Sequence, residues 1–201
     1  MRRDMMIATD HASVTAPNAA AKLIKLLQIA MGAVNTDDAE KVMQFDITNR
    51  LAVVKEIIEG SSGKILIAVP YLKALFRLHE ELAKDYGCEM VYGGVSESKR
   101  GDIFRRFQTD PATRVLVVQP DATAHGITLT EANTILWFGP TTKFEVYEQF
   151  NARINRPGQT RKMTVYMLQA CEAEKRLNKA IMGLKDSHIN LTELYRAVVD
   201  T

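Results

Sequence analysis

From residue 64 to about residue 185, short apolar runs alternate with longer amphipathic stretches, and that alternation constrains the fold more than any other feature. The runs at 64–69, 88–92, 114–119, 134–138 and 162–168 read as strands. The stretches at 72–86, 96–108, 143–154 and 172–185 carry apolar residues at helical spacing and read as helices. Strands 65–69 and 115–118 are continuously apolar, the pattern of a strand buried on both faces. The class is therefore α/β: a mostly parallel sheet flanked by helices. Ahead of it, residues 17–34 show a broad apolar helical face behind Pro17 and Asn18, residues 35–46 are polar and turn-like, and a second helix at about 47–59 stops at Gly60-Ser61-Ser62-Gly63. The expected division is a helical arm at 1–59 and a sheet domain at 60–201.

Composition narrows the partners only a little. A net charge of +2 neither demands nor excludes nucleic acid, so a phosphate-binding surface must be a local patch. Cys88 and Cys171 are far apart and, like His11, His79, His125 and His188, lack metal-ligand spacing; reduced thiols, no metal site and a cytoplasmic location are expected. No apolar run approaches the ~18 residues of a membrane span, and no apolar segment follows Arg2 and Arg3 as a signal peptide requires.

In open α/β sheets, ligands bind beyond the carboxyl ends of the strands. That rule directs attention to Pro70–Lys73, Gly93–Ser96, Gln119–Thr128 and Gly139–Lys143. Residues 149–159, Gln-Phe-Asn-Ala-Arg-Ile-Asn-Arg-Pro-Gly-Gln, follow the last of these. Helical spacing projects Gln149, Arg153 and Arg156 together before the Pro157-Gly158 break. Two guanidinium forks suit phosphate oxygens, although a basic last turn also complements a helix dipole. Trp137 and Phe138 read as core aromatics; Lys99, Arg105 and Arg106 read as a solvated helix face, and Arg100 has no assigned role.

With its flanks, this stretch resembles motif VI of superfamily 2 helicases and translocases, in particular the Swi/Snf-type branch and its bacteriophage members. Pro120-Asp121-Ala122-Thr123-Ala124-His125-Gly126-Ile127-Thr128-Leu129 is similar to motif V, residues 64–71 to motif IV, and residues 93–100 with Phe104 and Phe107 to motif IVa. Ala124 and Thr128 depart from the glycine and asparagine common in motif V, and Ala152 replaces the glycine frequent before the first motif VI arginine.

The resemblance covers roughly residues 20–170, in family order, and implies the second RecA-like lobe of a motor. It implies Arg153 and Arg156 as arginine fingers, with Gln149 and Gly126 completing the ATP side. Pro70, Tyr71, Lys73, Gly94, Thr123 and Thr128 would lie against a nucleic-acid backbone, with duplex DNA the expected track, and His125 would position its loop. ATP and Mg²⁺ would be held mainly by a first RecA-like lobe. This chain has no Gly-x-x-x-x-Gly-Lys-[Ser/Thr] loop; Gly60-Ser61-Ser62-Gly63-Lys64 has the wrong spacing. The chain is thus expected to be part of a longer motor and inactive alone. Two other classes stand beside this one. One is a RecA-like platform that binds nucleic acid or protein without catalysis. The other is a Rossmann-type enzyme, against which the missing Gly-x-Gly-x-x-Gly turn argues.

Overall fold

The computed structural model describes residues 5–9, 12–38, 41–123 and 127–184. Contacts divide the chain into two compact units, Thr48–Leu168 and a second that joins the residues up to Ile47 to those from Gln169 onward. The expected boundary at 59/60 is not where the contacts fall. The helix at Thr48–Gly60 belongs with the sheet, and the last described helix belongs with the N-terminal residues.

The N-terminal unit opens with an antiparallel hairpin, β1 (Met5–Thr9) and β2 (Ala12–Ala16), then helix α1 (Ala19–Ala30). Asn18 caps α1 by accepting from the Ala21 amide at 2.8 Å. The helix stops earlier than its apolar pattern suggests because Gly32, at φ +92°, turns the chain into β3 (Ala33–Asn35). β3, which begins within the segment read as helical, pairs with β4 (Val42–Gln44) in the stretch read as turn-like. Three residues are too few to register as period-two alternation, so the sequence does not announce this hairpin.

Asp37 ties the two hairpins of this unit together. Its carboxylate accepts from the Ser13 hydroxyl (2.9 Å), the Thr15 amide (2.9 Å) and the Thr15 hydroxyl (3.1 Å). The Thr15 amide, then the Ser13 hydroxyl, hold this carboxyl below its ordinary 3.8. A depressed folded-state value adds stability at pH above the ordinary carboxylate range, and that stability is lost as pH falls through the depressed value. The protection of the Thr15 amide, the intrinsic exchange rate at the same pH divided by its own, should therefore be constant near neutral pH and fall below pH ~4. Asp37→Asn should remove that dependence; an unchanged acid profile in the variant would exclude Asp37 as its source.

The sheet unit runs α2 (Thr48–Gly60), β5 (Lys64–Ala68), α3 (Leu72–Tyr86), β6 (Glu89–Val91), α4 (Glu97–Thr109), β7 (Val115–Val118), a 3₁₀ turn (Pro120–Thr123), β8 (Ala132–Trp137), α5 (Phe144–Asn151) and β9 (Thr164–Met167). Helix α6 (Glu172–Leu184) completes the other unit, where Leu177 and Ile181 are buried, as are Leu23, Leu27 and Met31. The five strands are all parallel, in the order β6-β7-β5-β8-β9. This is the α/β class that the alternating pattern predicts. β5 and β7 are buried along both faces. Leu66, Ala68, Leu116, Val118, Ile135 and Trp137 share one core with Phe104, Phe107, Phe150 and Ile154.

Strand order places the crevice. The chain leaves β5 toward the β7 side and leaves β8 toward β9, so connections diverge between β5 and β8. Ligands in open sheets settle beyond the carboxyl ends at such a switch point. Gly60-Ser61-Ser62-Gly63-Lys64 lies at the opposite, amino end. There Lys64 Nζ donates to the Phe107 carbonyl in the last turn of α4 and to the Asp110 carbonyl just after it, a structural role remote from phosphate chemistry. Among the described residues no helix is long and apolar enough to cross a membrane.

Candidate functional site

Helix α5 stops at Asn151, three residues before the expected end. The Arg153 amide turns back to the Phe150 carbonyl at 3.0 Å, and the Arg153 carbonyl accepts from the Leu129 amide at 3.0 Å. Motif VI thus leaves the helix and is fastened to the segment before β8. Gln159 completes the fastening. Its Nε2 donates to the Ala132 (2.8 Å) and Thr130 (3.1 Å) carbonyls and its Oε1 accepts from the Arg161 amide (3.1 Å), just after Gly158 at φ +102°. Arg161 adds donation to the Thr130 and Glu131 carbonyls.

The early helix end separates the two arginines. Arg153 is 5% exposed, and its Nε is buried with no hydrogen-bond partner among the described residues. It lines a cavity of about 60 Å³ with Pro120, Asp121, Thr123, Val146, Gln149 and Phe150. Burial, and then the positive charge of Arg156, push its guanidinium below the ordinary value, yet an arginine stays charged at neutral pH. A buried cation beside a second cation, with a donor unfilled among the described residues, has the chemistry to accept an anionic oxygen. Arg156 is half-buried and donates from Nη1 to the Thr128 hydroxyl at 3.1 Å. The expected trio therefore divides: Gln149 and Arg153 share one cavity, and Arg156 reaches motif V.

The wall of that cavity has its own supports. The Thr123 hydroxyl donates to the Pro120 carbonyl at 2.7 Å, closing the 3₁₀ turn, and Thr123 is 2% exposed. Of the six residues expected on the nucleic-acid side, Thr123 thus sits with Arg153 and Thr128 with Arg156. Asp121 pairs with Lys143 Nζ at 2.7 Å, joining the turn to the residue that precedes α5. Trp137 is fully buried against Tyr147 and Phe150, with ring centroids 5.2 and 5.4 Å away, and donates from Nε1 to Asn151 Oδ1 at 3.0 Å. It anchors α5 to β8, in keeping with a core role. Arg50 lies over the buried Phe138 ring, 5.2 Å from its centroid, and donates to the Phe138 carbonyl, tying α2 to the end of β8.

Pro70, Tyr71 and Lys73 follow β5, and Gly94 follows β6, so these four stand at strand ends separated by β7. Lys73 and Gly94 are exposed. A side chain at Gly94 would come 2.6 Å from the Tyr92 ring, so any larger residue there would have to displace that ring. Gln119, at the end of β7, accepts from the Gly93 amide at 3.1 Å and joins these loops. Gly126 and His125 lie outside the described residues. Lys99, Arg105 and Arg106 are exposed, as a solvated face requires, with Arg106 forked onto Glu89 at 2.8 and 2.6 Å. Gln159, Arg161, Lys143 and Arg50 had no role assigned from the sequence. Gln159 stood in the Pro-Gly-Gln ending and Lys143 in a strand-end loop, whereas Arg161 and Arg50 depend on partners far away in the chain.

The all-parallel sheet flanked by helices is the fold of a RecA-like C-terminal lobe. Residues 49–158 match the helicase conserved C-terminal domain, and the chain belongs to that family, as the C-terminal RecA-like lobe of a superfamily 2 helicase. Protein p41 of Acyrthosiphon pisum secondary endosymbiont phage 1 is 24% identical over 96% of this chain and 41% of its own length. The chromatin-remodeling ATPase INO80 of Pyricularia oryzae is 32% identical over 68% of this chain and 7% of its own. The Sulfolobus solfataricus SWI2/SNF2 ATPase core in complex with dsDNA superposes with a TM-score of 0.62 at 22% identity, over 90% of this chain and 41% of that one. The chain therefore spans well under half the length of each of these relatives.

Proposed function

We propose that this lobe delivers Arg153 and Arg156 to the γ-phosphate of ATP bound on a P-loop lobe, and grips a nucleic-acid backbone with the loops after β5, β6 and β7. The observation that carries the reading is the buried Arg153 guanidinium, with its unfilled Nε and the neighbouring charge of Arg156. Gln149 and Arg153 would meet the phosphate oxygens; Arg156, held by Thr128, would sense whether motif V is in place. Mg²⁺, which in such motors offsets charge between phosphates, would be held by the partner lobe. Because the arginines arrive only when the lobes close, turnover follows closure, and the chain alone turns over no ATP.

The nucleic-acid half of the proposal rests on backbone geometry. Helices α3, α4 and α5 all begin at the carboxyl end of the sheet without a side-chain cap hydrogen bond, leaving first-turn amides for an anionic backbone. These contacts read phosphate, not base, so sequence preference is weak. Duplex DNA is the proposed track, supported by the dsDNA-bound relative. Binding of labelled duplex and single strands by the two-lobed motor should fall steeply with salt. Three phosphate contacts alone weaken duplex binding about 40-fold when salt rises fourfold. A flat salt response, or tight preference for one base sequence, would contradict the backbone grip and leave a platform without motor function as the better reading.

A further inference from the structure

Arg100 belongs to neither group of phosphate-facing residues described above, yet it joins them. It lies in α4, half-buried, and its fork spans two loops: Nη1 donates to the Ala122 carbonyl at 2.9 Å and Nη2 to the Val95 carbonyl at 3.0 Å. Val95 follows Gly93 and Gly94 in the loop after β6. Ala122 stands between Asp121 and Thr123, both in the wall of the Arg153 cavity. The same helix meets the connection after β7 a second time, because Glu97, Arg100, Gly101 and Phe104 line a cleft of about 440 Å³ with Ile127. Arg100 Nε is buried with no hydrogen-bond partner among the described residues.

We propose that Arg100 is a positioning residue that locks the loop after β6 to the turn after β7, so that a phosphate strand engaged at Gly93–Val95 alters the wall of the Arg153 cavity. It touches neither nucleotide nor nucleic acid and acts through the two carbonyls it holds. The inference rests on the proposed backbone grip at these loops. Lysine keeps the charge but cannot present two parallel N–H groups in a fixed plane, so charge and fork can be separated.

The test compares Arg100→Lys and Arg100→Gln in the two-lobed motor, measuring ATP turnover against duplex DNA concentration and the ATP KM without DNA. Both variants should lose stimulation by duplex roughly 3- to 30-fold, the range expected for a residue that couples two sites. The ATP KM should stay within about twofold of wild type, since no nucleotide contact is removed. Hydrogen exchange on the 201-residue chain should quicken at Gly93–Val95 and Asp121–Thr123 in both variants, with the amides of β5 unchanged. Full stimulation in Arg100→Lys would show that charge alone matters and overturn the clamp. So would wild-type behaviour of both variants, or a fall in basal and stimulated turnover together that tracks a lowered Tm. If the unaltered motor binds no nucleic acid, the grip at these loops fails, and the exchange measurement still decides whether Arg100 fastens them.

Discussion

Arg153→Ala in the two-lobed motor is expected to lower kcat by at least ~100-fold, with a smaller change in the KM for ATP. Arginines that neutralise a transferring phosphoryl group contribute about 10³–10⁵ in rate in enzymes that use them. Arg153 has the environment for such an effect: it is desolvated, where charge acts more strongly than in water, and in the proposed role its interaction would form at the oxygen that gains charge. Arg153→Lys should recover only part of the loss, because an ammonium cannot span two oxygens from the same backbone position. Arg156→Ala should show a comparable loss and should also free Thr128, so its effect depends on whether motif V is engaged. Steady-state turnover at saturating ATP and duplex, with the ATP dependence of each variant, checks both.

Trp137→Ala should destabilise the sheet unit by about 3–5 kcal/mol, the usual cost of removing a fully buried large aromatic side chain. The indole fills the space between β8 and α5, and its N–H satisfies Asn151 on the last turn of the helix that leads into Arg153. Trp137→Phe should cost less, but leaves Asn151 Oδ1 without this donor, on the order of 1 kcal/mol. It should lower kcat more than its loss of stability explains, since the end of α5 is held less firmly. Urea unfolding followed by far-UV circular dichroism measures the first effect, and turnover at a temperature where both proteins are folded measures the second. Wild-type stability in Trp137→Ala would mean that α5 is not anchored through this ring.

The elements of the sheet were legible because buried strands write themselves as unbroken apolar runs: 64–69 and 114–119 match β5 and β7 to within a residue at each end. The end of α5 was not, because it is set by a distant hydrogen bond from the Leu129 amide to the Arg153 carbonyl. The same holds for the division of labour between Arg153 and Arg156. Spacing placed them on one helical face, whereas the chain leaves the helix between Gln149 and Arg153. Thr123 illustrates a further limit. A hydroxyl in a loop suggests an exposed ligand contact, yet here it closes its own turn under the protein surface. Arg100 was identifiable as a motif residue, but the carbonyls it holds come from loops after two different strands. In the N-terminal unit, four strands of three to five residues were missed for want of a periodic signal.

The central claim is that the arginine charge acts on ATP and not on the nucleic acid, and one pair of readings from one variant addresses it. Phosphate release in a single turnover, with ATP and duplex DNA saturating, should be at least ~100-fold slower in Arg153→Ala than in the unaltered two-lobed motor. Duplex affinity without nucleotide should remain within about twofold, because no backbone contact is removed. Normal phosphate release combined with lost duplex binding would contradict the account and place Arg153 on the nucleic-acid face of the lobe.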